Sequence, residues 1–218
     1  MAPIKLYLFN GSPGVRSVLI TAKAIGIDLE LHQVDFFKQE HLSPEYLKIN
    51  PQHSVPTLDD NGIAFWDSHA INAYLVRKYG KDDSLYPKDF LKRAIVDQRL
   101  HFDSGVLFPL LKIIDVSYFK KEITEVPPRC VKEINEAYQF LEKFLESHQW
   151  IAGDNVTIAD FSLVTTITSL NYHVKIDPEF YPNVTGWVKK AQELACFSCD
   201  HEQLKHFYNV FNSLKGIK

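Results

Sequence analysis

The chain has 218 residues, of which 45% are hydrophobic, 23% charged and 13% aromatic, and its 24 Lys and Arg against 27 Asp and Glu leave a formal net charge of -3. At about 150 residues per domain, this length holds one large domain or two small ones. The apolar fraction excludes a disordered chain, no fixed repeat suggests a solenoid, and the mild negative charge predicts no general attraction to nucleic acid or to anionic membranes.

Residues 1–10 lack the apolar run and small-residue cleavage site of a secretory signal. The richest apolar stretch, residues 106–114, is broken by Pro109 and Lys112 and falls short of the roughly 20 residues a bilayer requires, so no membrane span is expected. Cys130, Cys196 and Cys199 are too few and too odd in number for a disulfide framework, which points to a reducing cytoplasm. The Cys196-Phe197-Ser198-Cys199 pair has no second Cys/His pair near it in sequence and follows a helical pattern, so it reads as two ordinary thiols.

In chain order, residues 5–9 and 29–34 read as short strands. Between them a helix over 13–25 places Val15, Val18, Leu19, Ala22 and Ile25 on one face, giving a βαβ unit. Ser12 stands at the N-cap position, Pro13 at the first helical position and Gly26 just past the end. Ser43-Pro44-Glu45 opens a short helical turn in the same way. Val55-Pro56-Thr57-Leu58, a turn at Asp59-Asp60-Asn61-Gly62 and Ile63-Ala64-Phe65-Trp66 read as a hairpin, because Asn-Gly between β-formers is a strong turn signal. Pro56 within that strand belongs at an edge, at a strand start or in a cis bond. A helix over 68–78 follows, and Gly80 ends it.

The polar segment 81–88 carries the signals of a linker. Beyond it apolar residues recur three and four apart over 89–119, 128–147, 157–171, 183–194 and 199–214, and Pro109 is expected to kink the first, overlong helix. Thr157-Ile158-Ala159-Asp160 is a capping box, with a structural and not a catalytic role. A small α/β unit thus leads into a helical bundle.

With that order of elements, Asn50-Pro51-Gln52-His53-Ser54-Val55-Pro56-Thr57-Leu58, Asp67-Ser68-His69-Ala70-Ile71 and Thr157-Ile158-Ala159-Asp160 make the chain resemble the cytosolic glutathione S-transferases over essentially its whole length. The wording is closest to the insect epsilon class, with delta as the neighbour. The resemblance implies an α/β thioredoxin-like N-terminal domain (βαβ-ββα) over 1–80, a linker over 81–88 and an all-α helical bundle over 89–218 that contributes the hydrophobic substrate site. Ser12 would then be the catalytic hydroxyl, donating a hydrogen bond to the glutathione sulfur. A free thiol of pKa about 8.5 is only a few per cent thiolate at pH 7, so a donor that prefers the anion enlarges the reactive population. On the residues alone, Ser12 reads as an N-cap.

By the same resemblance His41 and His53 reach the glycine carboxylate of glutathione. The backbone of Val55, before Pro56, pairs with the cysteinyl portion as an added strand would. Ser68 meets the γ-glutamyl carboxylate and Asp67 its ammonium, and His69 and Lys112 are expected among the glutathione-binding residues as well. Pro13, Phe36, Phe108, Leu111, Asp115, Phe119 and Phe207 are expected around the hydrophobic second substrate, although an aromatic stripe at helical spacing serves equally as core. The chain departs from the family pattern at several places. Asp67 is shorter than the usual Glu, His69 stands where delta-like sequences tend to carry Arg, and Lys112 replaces an Arg. Gly14, where Pro is common, is expected to loosen the first helical turn. Asp115 replaces an aromatic residue, so it either turns to solvent or confers a preference for a polar or cationic substrate, since a buried acid is costly unless paired.

The function implied is conjugation of reduced glutathione, as co-substrate, to hydrophobic electrophiles in detoxification by a cytoplasmic homodimer, without a metal or redox cofactor. The same thiolate would serve a peroxidase or isomerase activity. The alternatives are a non-catalytic binder that sequesters hydrophobic ligands and an assembly factor with a vestigial site. A thioredoxin-type disulfide exchanger would need a thiol near Ser12, and none is there.

Overall fold

The computed structural model describes residues 3–216. Strand β1 (Lys5–Leu8) alternates half-buried and buried positions, sinking Leu6 and Leu8 into the core. Helix α1 (Pro13–Ile25) returns the chain to β2 (Glu30–Gln33), parallel to β1. A 3-10 turn at Glu40–Leu42 and helix α2 (Pro44–Ile49) follow, and Ser43 caps α2 by accepting a hydrogen bond from the Tyr46 amide. Strand β3 (Thr57–Asp60) pairs antiparallel with β1 and with β4 (Ile63–Trp66), giving a four-stranded sheet in the order β2-β1-β3-β4. Helix α3 (Ser68–Tyr79) completes this α/β portion.

The hairpin differs slightly from its expected form. Asp59 and Asp60 pair with Ala64 and Ile63 inside the ladder, and only Asn61 and Gly62 turn, both at positive φ (56° and 86°) as a two-residue hairpin turn demands. Gly26 ends α1 in the left-handed conformation, its amide returning to the carbonyls of Ala22 and Lys23.

The rest of the described chain is helical: α4 (Phe90–Phe102), α5 (Phe108–Phe119), α6 (Pro128–Leu145), α7 (Ile158–His173), α8 (Pro182–Gln192) and α9 (Asp200–Leu214). The break between α4 and α5 lies earlier than Pro109. It is a π-helical turn over Asp103–Leu107, and Pro109 sits in the first turn of α5, where its missing amide leaves no hydrogen bond unmade.

Helix α7 is the axis of the molecule. Every residue from Ile158 to Leu170 is buried, so α7 shows no polar face, and the hydroxyls of Thr165, Thr166, Thr168 and Ser169 donate back to carbonyls three or four residues earlier. The capping box forms as the sequence indicates. Asp160 accepts from the Thr157 amide at 2.8 Å, and its other oxygen accepts from the Ile151 amide and the Trp187 indole, both at 2.9 Å. Across from α7, α1 carries Arg16, which is fully buried. Its guanidinium grips both oxygens of Asp200 on α9 and also donates to the Thr165 carbonyl and to the hydroxyls of Thr168 and Ser169. The helix that begins at Ser12 is thereby fixed to α7 and α9 together.

Candidate active site

A cavity of about 730 Å³ opens between the α/β portion and helices α5 and α9. Ser12, Pro13, Phe36, His41, His53, Val55, Pro56, Asp67, Ser68, His69, Phe108, Leu111, Lys112, Asp115, Phe119 and Phe207 all line it, so the fold brings together every site residue singled out in the sequence.

Ser12 immediately precedes α1. Its carbonyl accepts the Arg16 amide at 2.9 Å, but its side chain makes no capping bond. The N-cap reading therefore fails for the hydroxyl, which is left toward the cavity beside the open amides of a 13-residue helix. Gly11, at φ 86°, lets α9 come close, since a Cβ there would stand 2.9 Å from the Phe207 amide nitrogen. Gln203 on α9 accepts a hydrogen bond from the Gly11 amide at 2.8 Å. Gly14 does not act simply as a loosened turn. A Cβ at this position would lie 3.0 Å from Pro56 Cδ and 3.2 Å from Ser68 Oγ, so glycine marks the point where α1, the loop before β3 and the start of α3 meet.

The loop before β3 is held from beneath by Asn50 and Tyr46. The buried Asn50 amide donates to the Ser54 carbonyl, the Ser54 hydroxyl and the Thr57 hydroxyl, and its oxygen accepts from the Gln52 amide. The Tyr46 hydroxyl donates to the Ser54 carbonyl at 2.7 Å. Of the arrangements open to Pro56, the Val55–Pro56 bond is cis. His53 has φ 46°, a left-handed conformation that a non-glycine residue holds only where its surroundings fix it. His41 stacks on Phe36 at 4.2 Å between ring centroids and lies 6.1 Å from the His53 ring. Burial, and then the nearby His53, push the His41 imidazole below its ordinary value.

At the start of α3, Asp67 accepts from the amides of His69 and Ala70 at 2.9 and 3.2 Å, so it caps the helix as well as facing the cavity. His69 Nε2 lies 3.0 Å from Asp103 Oδ2 in the π-helical turn. Burial alone would lower His69. The hydrogen bond and charge of Asp103 outweigh it, and the imidazole is raised above its ordinary value.

The opposite wall is apolar, with Phe108, Leu111, Phe119, Phe207 and Phe211. Asp115 belongs to this wall, and of its two expected outcomes the turn to solvent does not occur: Oδ1 lies 2.9 Å from Nε2 of His173, whose side chain is buried, and only 19% of the Asp115 side chain is exposed. The residues that the sequence reading missed are the supporting ones, Arg16, Asn50, Tyr46, Asp103 and His173. None carried a decisive local signal: Arg16 stands seven residues before Lys23, on the same side of α1, and so reads in the sequence as one more exposed charge. Among the described residues, no group of three or more His, Cys, Asp or Glu side chains is placed to hold a metal ion, and no helix is long and apolar enough to cross a membrane.

The sheet unit and the helical bundle are shared with known proteins. Residues 2–77 match the glutathione S-transferase N-terminal domain and residues 106–195 the glutathione S-transferase C-terminal domain. Glutathione S-transferase 1 of Manduca sexta is 46% identical over 192 residues, covering 87% of this chain and 88% of its own. An epsilon-class glutathione S-transferase of the housefly, Musca domestica, superposes with a TM-score of 0.94 at 47% identity, over 97% of this chain and 98% of that one. A delta-class glutathione transferase of Nilaparvata lugens follows with a TM-score of 0.91 at 40% identity, over 97% of this chain and 100% of that one. The chain belongs to the glutathione S-transferase family and is a glutathione transferase.

Proposed function

We propose that this enzyme conjugates reduced glutathione to hydrophobic electrophiles, with the Ser12 hydroxyl donating to the glutathione sulfur and holding it as thiolate. The observation that carries this reading is that Ser12 starts α1 without capping it, and so keeps its donor for a ligand in the cavity. A hydrogen bond aimed at the sulfur, together with the amides of the α1 N-terminus, favours the anion and lowers the thiol pKa. The thiolate then attacks an electrophilic carbon of a second substrate held against Phe108, Leu111, Phe119 and Phe207, forming a C–S bond as a leaving group such as chloride departs with its bonding pair. What the protein supplies is orientation and charge stabilisation, with no covalent enzyme intermediate.

Glutathione would lie along the α/β side. His41, His53 and Lys112 serve the glycine end, the Val55 backbone before Pro56 pairs with the cysteinyl portion, and Asp67, Ser68 and His69 hold the γ-glutamyl end. In this division residues 1–80 bind glutathione, 81–88 link, and 89–218 complete the electrophile site. The epsilon class is favoured by the greater likeness to the housefly enzyme than to the delta-class one. A cytoplasmic homodimer acting in detoxification is the setting this reading implies, and three unpaired cysteines suit a reducing compartment.

The test is conjugation of 1-chloro-2,4-dinitrobenzene. Ser12→Ala is expected to keep glutathione affinity within a few fold and to lower kcat by roughly a hundredfold, the usual order for a lost stabilising donor. Unchanged turnover would remove Ser12 from its role.

A further inference from the structure

The electrophile wall contains one feature that an apolar pocket does not need. Asp115 projects from α5 into a lining of Phe108, Leu111, Phe119, Phe207 and Phe211. It is held there from behind. His173, the last residue of α7, has a fully buried side chain that stacks on Tyr118 at 5.6 Å and 12° and meets Phe211 edge-on at 4.9 Å. This aromatic box fixes the imidazole plane, and Nε2 fixes Asp115 Oδ1 at 2.9 Å. Oδ2 makes no hydrogen bond among the described residues and is not among the sealed, unpartnered atoms, whereas Nδ1 of His173 is.

Oδ2 keeps a lone pair open to a donor in every protonation state of the pair, including a carboxylic acid whose proton sits on Oδ2 while His173 donates to Oδ1. If His173 donates to a carboxylate, Oδ2 is an anionic oxygen; if a carboxylic acid donates to His173 through Oδ1, Oδ2 is its carbonyl oxygen. Burial pushes Asp115 above the usual carboxylate range and pulls His173 down to about 3, so desolvation disfavours charge on either partner. Lys215, whose ammonium lies over the Tyr118 and Tyr172 rings at 4.8 and 4.5 Å, adds a positive charge nearby and disfavours another. A neutral hydroxyl or N–H is the group that suits such an acceptor. A site with a waiting polar atom rejects analogues that leave it unpaired.

We propose that Asp115, positioned by His173, selects electrophiles that carry a hydroxyl or N–H donor on the part remote from the reacting carbon. The inference rests on the glutathione-transfer reading and adds a substrate class to it.

The experiment compares 4-hydroxyphenyl vinyl ketone with its 4-methoxy ether. In both, the glutathione thiolate forms a C–S bond at the terminal alkene carbon, the π pair moves to the carbonyl oxygen as enolate, and water returns the proton. Wild-type enzyme is expected to favour the phenol by about tenfold in kcat/KM over the ether, after subtraction of the uncatalysed rates. Asp115→Asn, which keeps an acceptor oxygen while its amide donates to Nε2, should retain most of that ratio. Asp115→Leu should bring it near one. Where Asp115→Leu fails to fold, the Asp115→Leu/His173→Phe double variant removes the buried imidazole too and carries the same expectation. Equal ratios in wild type and the Leu variants would overturn the inference while leaving glutathione transfer intact. If neither ketone is consumed, conjugation of 1-chloro-2,4-dinitrobenzene decides the transfer reading separately, and the inference is judged by calorimetric binding of the saturated ethyl ketones. A phenol preference lost in Asp115→Leu upholds it, and no preference overturns it.

Discussion

Arg16 Nε and Nη2 meet the two carboxylate oxygens of Asp200 at 2.6 and 2.9 Å, entirely out of contact with water at the guanidinium. This fork ties the helix that begins at Ser12 to the helix that supplies Phe207, so both halves of the cavity share one buried ion pair. Removing one partner leaves the other charged and desolvated. Arg16→Met is expected to destabilise the fold by about 3–5 kcal/mol in denaturant unfolding, with much of the loss recovered in Arg16→Met/Asp200→Leu. An Arg16→Met protein as stable as wild type would show that the pair is not structural.

Gly14 makes a more local prediction. A methyl group there meets Pro56 Cδ at 3.0 Å and Ser68 Oγ at 3.2 Å, and the proline ring has little freedom to move. Gly14→Ala should cost about 1–3 kcal/mol in stability and weaken glutathione binding, because it pushes apart the loop before β3 and the start of α3. Glutathione titration by calorimetry checks this, and an unchanged Kd with unchanged stability would contradict the close approach.

His69 should titrate above its ordinary value of 6.5, followed by NMR of its ring protons. Because the folded-state value is raised, the stabilisation is complete below about 6.5 and is lost as pH rises through the folded value. Asp103→Asn removes the opposing charge, leaves desolvation in command and should move the His69 midpoint below 6.5. A midpoint indifferent to Asp103→Asn would break the assignment.

The acid limb of stability should depend on Asp60. Burial alone would raise this carboxyl, but donation by Lys78 at 2.7 Å, Tyr74 at 2.5 Å and Tyr79 at 2.6 Å lowers it well below its ordinary value. A depressed folded-state value means that the stabilisation is present above about 3.9 and is lost as pH falls through the lower value. Asp60→Asn should therefore lower Tm at neutral pH and flatten its fall between pH 5 and roughly 2. A variant with a wild-type acid profile would place the titration elsewhere.

Much of the fold was legible because its signals are local. Asn61-Gly62 marks a hairpin, Ser43, Gly26 and the Thr157-to-Asp160 box mark helix ends, and periodicity separates the α/β portion from the helical one. The break before α5 was misplaced because Pro109 suggests a kink, whereas a π-helical turn leaves no comparable mark in residue types. The gathering of Ser12, His53, Asp67 and Phe108 around one cavity was accessible only through resemblance, since nothing local relates residues so far apart in the chain. The supports were hidden for the same reason. Asp103 and His173 look like ordinary helical polar residues until the fold sets them against His69 and Asp115.

The central claim is that Ser12 holds glutathione as its thiolate, and ultraviolet titration of the thiolate in the enzyme–glutathione complex tests it directly. Wild-type enzyme should show a sulfur midpoint at least about one unit below the free thiol value near 8.5, and Ser12→Ala should return it most of the way. A Ser12→Ala enzyme that still binds glutathione and keeps the lowered midpoint would contradict the account.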